Sequence, residues 1–157
     1  MFDPALLVFI AACTAAALTG VFFKPGQWYE QLAKPPWRPP NWLFGPAWTV
    51  LYAMIAVSGW LVWKVGTWPA MAPAMALYAT QLLLNAVWTP LFFGLRRPDL
   101  AFYELLLLWL AILATIVAFL PISGLAAGLL VPYLAWVSFA GALNLSIVRL
   151  NPGEARG

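Results

Sequence analysis

Five long apolar stretches, separated by short clusters of proline and charge, organise the chain. They run over roughly residues 4–23, 45–65, 70–94, 99–120 and 124–148. Each is about 20 to 25 residues, the length an α-helix needs to cross ~30 Å of hydrocarbon. None alternates apolar and polar positions as a membrane β-strand of about 10 residues must. In hydrocarbon a segment has to satisfy its own backbone N–H and C=O groups, so each stretch is expected to be a helix. The predicted fold is therefore all-α: one integral membrane domain over residues 1–157, a five-transmembrane-helix bundle. Pro73 falls near the start of its helix, where a missing N–H costs little, and Pro132 falls inside the fifth, which it should bend. The first stretch lacks the basic leader of a secretion signal, with Asp3 its only charged side chain. It is also long for a cleaved signal, so it is expected to remain as a helix.

Composition agrees with this pattern. The chain is 64% hydrophobic and 8% charged, against about 25% charged in a soluble domain. There is no histidine and one cysteine, Cys13. That excludes Ser–His and Cys–His nucleophile pairs, a Cys/His zinc site and histidine ligation of haem. No metal site is expected, and Cys13 reads as a small core residue.

The few charges are placed asymmetrically. Lys24, Lys34, Arg38, Arg96, Arg97, Arg149 and Arg156 flank one side of the spans, and Lys64 alone flanks the other. Positive charge stays in the cytoplasm. This places the first and third connections and the C-terminus inside, and the N-terminus outside. The net charge of +3 is then a matter of topology, and no nucleic acid partner is expected. Glu104, the one acid well inside a span, lies near Arg96 and Arg97 and is expected to snorkel or pair at the cytoplasmic edge rather than to transfer protons.

The first connection, residues 24–44, is long for a compact domain, and such loops are often functional. It contains KPPWRPPNW (34–42). Pro35, Pro36, Pro39 and Pro40 should hold it near polyproline II. With Trp28, Tyr29, Trp37 and Trp42 it reads as a stiff cap over the cytoplasmic mouth of the bundle, or more simply as an interfacial aromatic belt.

Three spans carry polar and aromatic residues at helical spacing. These are Trp48, Tyr52, Ile55 and Gly59 on the second; Tyr78, Gln81, Asn85, Trp88 and Phe92 on the third; and Tyr133, Trp136, Ala140 and Asn144 on the fifth. Buried amides in lipid need partners or a cavity. One reading is hydrogen bonding between helices. The other is a ligand cavity with apolar walls and a few fixed polar groups.

Three stretches, WYEQLAKPPWRPPNWLFGPAWTVLY (28–52), QLLLNAVWTPLFFG (81–94) and VPYLAWVSFAGALNLSIVRLN (131–151), resemble the tryptophan-rich sensory protein family, also called the translocator protein or peripheral benzodiazepine receptor family. The likeness covers almost the whole chain. It implies a five-helix bundle, commonly a homodimer, that binds porphyrins such as protoporphyrin IX, sterols, and isoquinoline or benzodiazepine ligands. It implies a pocket capped by the first loop, with Trp37, Trp48, Tyr52, Asn85 and Trp136 as pocket residues. Gln81, Trp88, Tyr133 and Asn144 join them from the helical faces. In animal members the last helix ends in a tyrosine-rich sterol pattern; here that region reads LNLSIVRLN, without tyrosine.

The resemblance leaves three functions in view. The first is a porphyrin-binding membrane receptor, sensor or carrier, needing no resident cofactor. The second is a light-dependent porphyrin-degrading enzyme with Trp48 and Trp136 as redox partners. The third is a transporter of porphyrin or sterol, weakened by the lack of internal repeats and paired helix breaks. A bacterial cell membrane is the expected location. Dimerisation is expected through small residues on the first helix (Ala12, Ala16, Gly20) or the third (Ala72, Ala76, Thr80).

Overall fold

The computed structural model describes residues 3–154. Its elements are α1 (Pro4–Phe22), a short α2 (Gln27–Gln31), α3 (Asn41–Val65), α4 (Trp68–Thr89) running into a π-helical turn (Pro90–Gly94), α5 (Pro98–Phe119) and α6 (Gly124–Leu150). Among the described residues five helices are long and apolar enough to cross a membrane. The chain is a multi-pass integral membrane protein. Leu7, Val8, Leu83, Leu107, Val117 and Val131 on the outer faces are exposed, as the lipid-facing surface of such a bundle must be.

Local chemistry sets the helix ends. Asp3 caps α1 by accepting from Ala5 N at 2.9 Å, with Pro4 in the first turn. Ser123 caps α6 through Ala126 N at 3.2 Å. Both side chains replace a partner that a first-turn N–H lacks. Between α3 and α4 the chain turns at Gly66, where a Cβ would lie 2.8 Å from the Val62 carbonyl. After the π-turn, Arg96 adopts φ 54°, and Arg97 N reaches back to Leu91 O at 3.1 Å. A left-handed residue closing a helix in this way satisfies a terminal carbonyl.

The spanning helices close into a ring in the order α1, α3, α6, α5, α4 and back to α1. One end of the ring carries Asp3, whose carboxylate accepts from Trp60 Nε1 at 2.9 Å. The other carries the first connection, the π-turn and the segment after α6. Small residues let the ring close. A Cβ on Gly59 would come 2.7 Å from the rings of Phe9 and Tyr78, so the edge-to-face packing of those rings depends on a glycine there.

Three expectations need correction. The second span starts at Asn41, earlier than expected, so residues 41–44 belong to α3 and Pro46 lies inside the helix. Pro40, extended at φ −62°, has no N–H in need of a partner and so starts the helix without penalty. The first connection also contains the helical turn α2, and a tight turn closed by Arg38 N to Pro35 O at 3.2 Å interrupts its proline run. Glu104 does not pair with Arg96 or Arg97. Arg97 is bound to Asp99 through Nε and Nη2, at 2.8 and 2.6 Å. Glu104 shares the inward seam of α5 with Ala101, Leu105 and Leu108, 8% exposed, and neither carboxyl oxygen has a partner. Helical periodicity turns residue 104 inward, while Asp99, two residues from Arg97, is the nearer acid.

Candidate functional site: a capped aromatic cavity

Inside the ring lies a cavity of about 840 Å³, walled by all five spanning helices and by Phe23, Pro25 and Tyr29 of the first connection. Small-molecule pockets measure about 300–1,000 Å³. Its walls are mostly apolar, and its polar groups are few and fixed.

The fixed groups form one chain across three helices. The Tyr52 hydroxyl on α3 donates to Asn85 Oδ1 on α4 at 2.6 Å, and Asn85 Nδ2 donates to the Tyr133 hydroxyl on α6 at 2.7 Å. Buried polar groups in a low-dielectric interior are costly when unpaired and rigid when paired. This chain therefore holds three helices in register and fixes the Asn85 amide in the cavity wall.

Aromatic rings make up the rest of that side. Trp48 lies 5.4 Å from Tyr52, 6.3 Å from Tyr133 and 6.4 Å from Trp136, ring centroid to centroid. Trp88 stacks on Phe92 at 5.0 Å. Two indole N–H groups, Trp88 Nε1 and Trp136 Nε1, are buried without a partner, as is Asn144 Oδ1. Asn144 Nδ2 is engaged with Pro98 O at 3.1 Å. Trp88, Trp136 and Asn144 all line the cavity. The cavity is thus walled by these three residues, while the two indole N–H groups and the Asn144 oxygen are themselves buried beneath its surface.

The first connection covers the end of the cavity away from Asp3. Its helix α2 packs Trp28 and Tyr29 on Phe92, each at 6.0 Å, and Tyr29 on Phe93 at 5.4 Å. Phe23 packs where a Cβ on Gly94 would sit, so the π-turn supplies the platform on which the cap rests. Lys34 folds back on its own loop. Its ammonium donates to Glu30 O and Leu32 O at 3.1 and 3.0 Å and lies 4.5 Å from the Tyr29 ring centre. Desolvation there, then Arg38 nearby, holds its pKa below the usual lysine range against the pull of Glu30.

Of the residues singled out in the sequence, Trp48, Tyr52, Asn85, Trp88, Trp136 and Asn144 line the cavity together. Tyr133 stands directly behind Asn85, fully buried. Gln81 is also fully buried, with neither amide atom partnered, but lies outside the cavity wall. Trp37 is 48% exposed and packs edge-on against Phe139 at 5.7 Å; Phe139 in turn meets Trp136 at 5.7 Å. It touches the site through Phe139 and is not itself among the lining residues. The face of α1, with Cys13, Thr14, Ala17 and Gly20 in the wall, was not expected in the pocket; Cys13 was read as core and Gly20 as part of a dimer stripe. Its small side chains leave the room the cavity occupies, and their spacing was the signal available. Cys13 is buried as expected, its thiol 3.7 Å from the Tyr78 hydroxyl.

Comparison with known proteins adds a family to this geometry. Residues 7–150 match the TspO/MBR family. The chain is 45% identical to protein CrtK of Rhodobacter capsulatus over 148 residues, 94% of this chain and 92% of that protein. It is 42% identical to the tryptophan-rich sensory protein of Cereibacter sphaeroides over 145 residues, 92% of this chain and 90% of that one. It is 43% identical to the human translocator protein over 155 residues, 95% and 91% of the two chains.

Proposed function

The chain belongs to the TspO/MBR family, and from that premise we propose that it is a membrane receptor or carrier for a flat apolar ligand, a porphyrin such as protoporphyrin IX. The carrying observation is the 840 Å³ cavity with aromatic walls, one hydrogen-bonded polar chain and a cap of its own sequence. Trp48 and Trp136 offer broad faces for stacking, at small cost in side-chain entropy. Asn85, fixed by two tyrosines, orients the ligand. Lys24 and Arg38 on the capped side suit acidic substituents such as propionates. Sterols and isoquinoline- or benzodiazepine-type ligands would use the same apolar walls with fewer polar contacts.

In this reading the capped end faces the cytoplasm, the N-terminus lies outside, and the protein sits in a bacterial cell membrane as a homodimer. Several relatives are named as sensory or translocator proteins, and both roles require reversible binding. Titration of purified protein with protoporphyrin IX tests it directly. Saturable quenching of tryptophan emission is expected, while a quench that grows linearly with porphyrin would mean partition into detergent and overturn the reading.

A second reading, light-driven porphyrin breakdown with Trp48 and Trp136 as redox partners, is favoured by the direct contact of those two indoles. Product analysis of the same complex in light and in darkness separates the two.

A further inference from the structure

The segment joining α2 to α3 carries two buried anchors, Leu32 and Pro35, with Ala33 exposed between them. The backbone of Ala33 meets the first residue beyond α6. Asn151 Oδ1 accepts from Ala33 N at 2.9 Å, and Asn151 Nδ2 donates to Ala33 O at 2.8 Å. Both main-chain groups of Ala33 are thus taken by one side chain. The arrangement reproduces the reciprocal pair that two residues exchange in an antiparallel ladder. Only an amide side chain offers a donor and an acceptor side by side for it.

Four further facts argue that this is more than a helix ending. The last turn of α6 is closed by the Asn151 main chain, whose N–H bonds to Ile147 O at 3.1 Å, so the side chain is not needed as a cap. A third bond, Asn151 Nδ2 to Ile147 O at 2.8 Å, sets the amide plane towards Ala33. Asn151 also continues the stripe Trp136, Ala140, Asn144 and Ile147, all cavity-lining residues at spacings of three and four. One rigid helix carries both a cavity wall and the fastening of the cap. A weaker clasp, Trp28 Nε1 to Glu154 Oε2 at 3.1 Å, ties α2 to the same C-terminal segment.

We propose that Asn151 is the latch of the cap: it holds the segment 32–40 against the end of α6, and release of its paired bonds with Ala33 is the step that frees the first connection, whose Phe23, Pro25 and Tyr29 line this end of the cavity, to move away. The inference rests on the reading of residues 24–40 as a cap over a ligand cavity. The bonds are open to solvent, so water replaces each at modest net cost. That makes the fastening reversible, and the apolar cluster that Leu32 and Tyr29 share with Phe92, Leu143 and Ile147 favours return of the released segment. Asn151 is a positioning residue in this account and touches no ligand.

Hydrogen exchange of the full chain in lipid nanodiscs, read without ligand, tests the latch. Asn151→Ala should speed exchange in peptides covering 32–40 by roughly five- to tenfold, with the spans unchanged. Asn151→Asp keeps the shape and the acceptor but sets a carboxylate against the Ala33 carbonyl, so it should behave like the alanine variant. Asn151→Gln should recover part of the protection. The alanine variant should also release bound protoporphyrin IX faster by a similar factor. Unchanged exchange in 32–40 would overturn the proposal. So would a rise spread evenly over all spans, which is a general loss of stability. So would wild-type exchange in Asn151→Asp, since isosteric shape would then suffice. Absence of saturable porphyrin binding in the wild type would refute the ligand reading alone, because the exchange measurement does not depend on it.

Discussion

Trp48 and Trp136 meet edge to face across the cavity, ring centroids 6.4 Å apart and planes at 85°. One indole comes from α3 and the other from α6, and Phe44 packs on Trp136 at 5.8 Å from the turn below Trp48. The pair forms a corner of two aromatic walls, into which a flat ligand can place a face against one ring and an edge against the other. Trp48→Phe and Trp136→Phe should each weaken protoporphyrin binding by about 0.5–1.5 kcal/mol, and the alanine changes should cost more. If the indoles are redox partners, the double phenylalanine variant should keep most binding yet lose light-dependent breakdown. Full binding and full breakdown in that variant would remove the site.

Asn85 is expected to matter for stability as well as for ligand orientation. Asn85→Leu keeps the volume and strands the Tyr52 and Tyr133 hydroxyls, which now lie on either side of the amide. Leaving a buried polar group unpaired costs about 1–3 kcal/mol. A clear fall in melting temperature of the detergent-solubilised protein should follow. Tyr52→Phe, which removes a single bond at the edge of the chain, should fall less. Equal melting of all three proteins would mean that the two hydroxyls find other partners.

Glycines separate close approach from open space. Gly59→Ala places a methyl 2.7 Å from two rings and should destabilise by about 1–3 kcal/mol through overpacking. Gly20→Ala meets nothing within 4 Å and should be neutral or slightly stabilising in a helix. Thermal unfolding of the two variants beside the wild type checks the contrast, and equal melting temperatures would contradict it.

The Asp3 carboxyl is held below the usual carboxylate range, first by the Trp60 indole N–H, then by Ala5 N, with Lys64 contributing. A depressed folded-state pKa means that its stabilisation is present above the unfolded value of about 3.9 and is lost as pH falls through the lower, folded value. The melting temperature of the wild type should therefore exceed that of Asp3→Asn at pH 6, and the gap should close in the acid range below about pH 4. A gap that stays constant down to pH 2 would assign the effect to shape alone.

Of the two small-residue stripes, that on α4 is the freer. Ala76 and Thr80 are exposed on its outer face. On α1, Ala16 is buried within the bundle and Gly20 borders the cavity. Ala76→Leu should shift the solubilised mass towards a monomer, as read by light scattering. An unchanged dimer would move the interface to another helix.

Much of this molecule was legible in its residues, for physical reasons that can be named. Apolar runs of spanning length have one stable backbone solution in lipid, so five helices and their approximate limits follow from pattern alone. Helical spacing brought Trp48, Tyr52, Asn85, Trp88, Trp136 and Asn144 to inward faces, and all six line one cavity. What pattern could not settle is which inward groups meet. Gln81 and Asn85 share a helix face, yet Asn85 finds two tyrosines and Gln81 finds none. The difference depends on helix rotation and depth, which packing sets. Glu104 was expected at the charged edge, but one turn of α5 carries it inward while Asp99 takes Arg97. Trp37 lies in a motif that reads as a cap, but the tight turn at Pro35–Arg38 sends its ring to Phe139 on the outside. The partnership of Ala33 with Asn151, 118 residues apart, has no local signal at all. Periodicity specifies the direction of a side chain relative to its own helix; only the closed ring of helices decides what stands opposite.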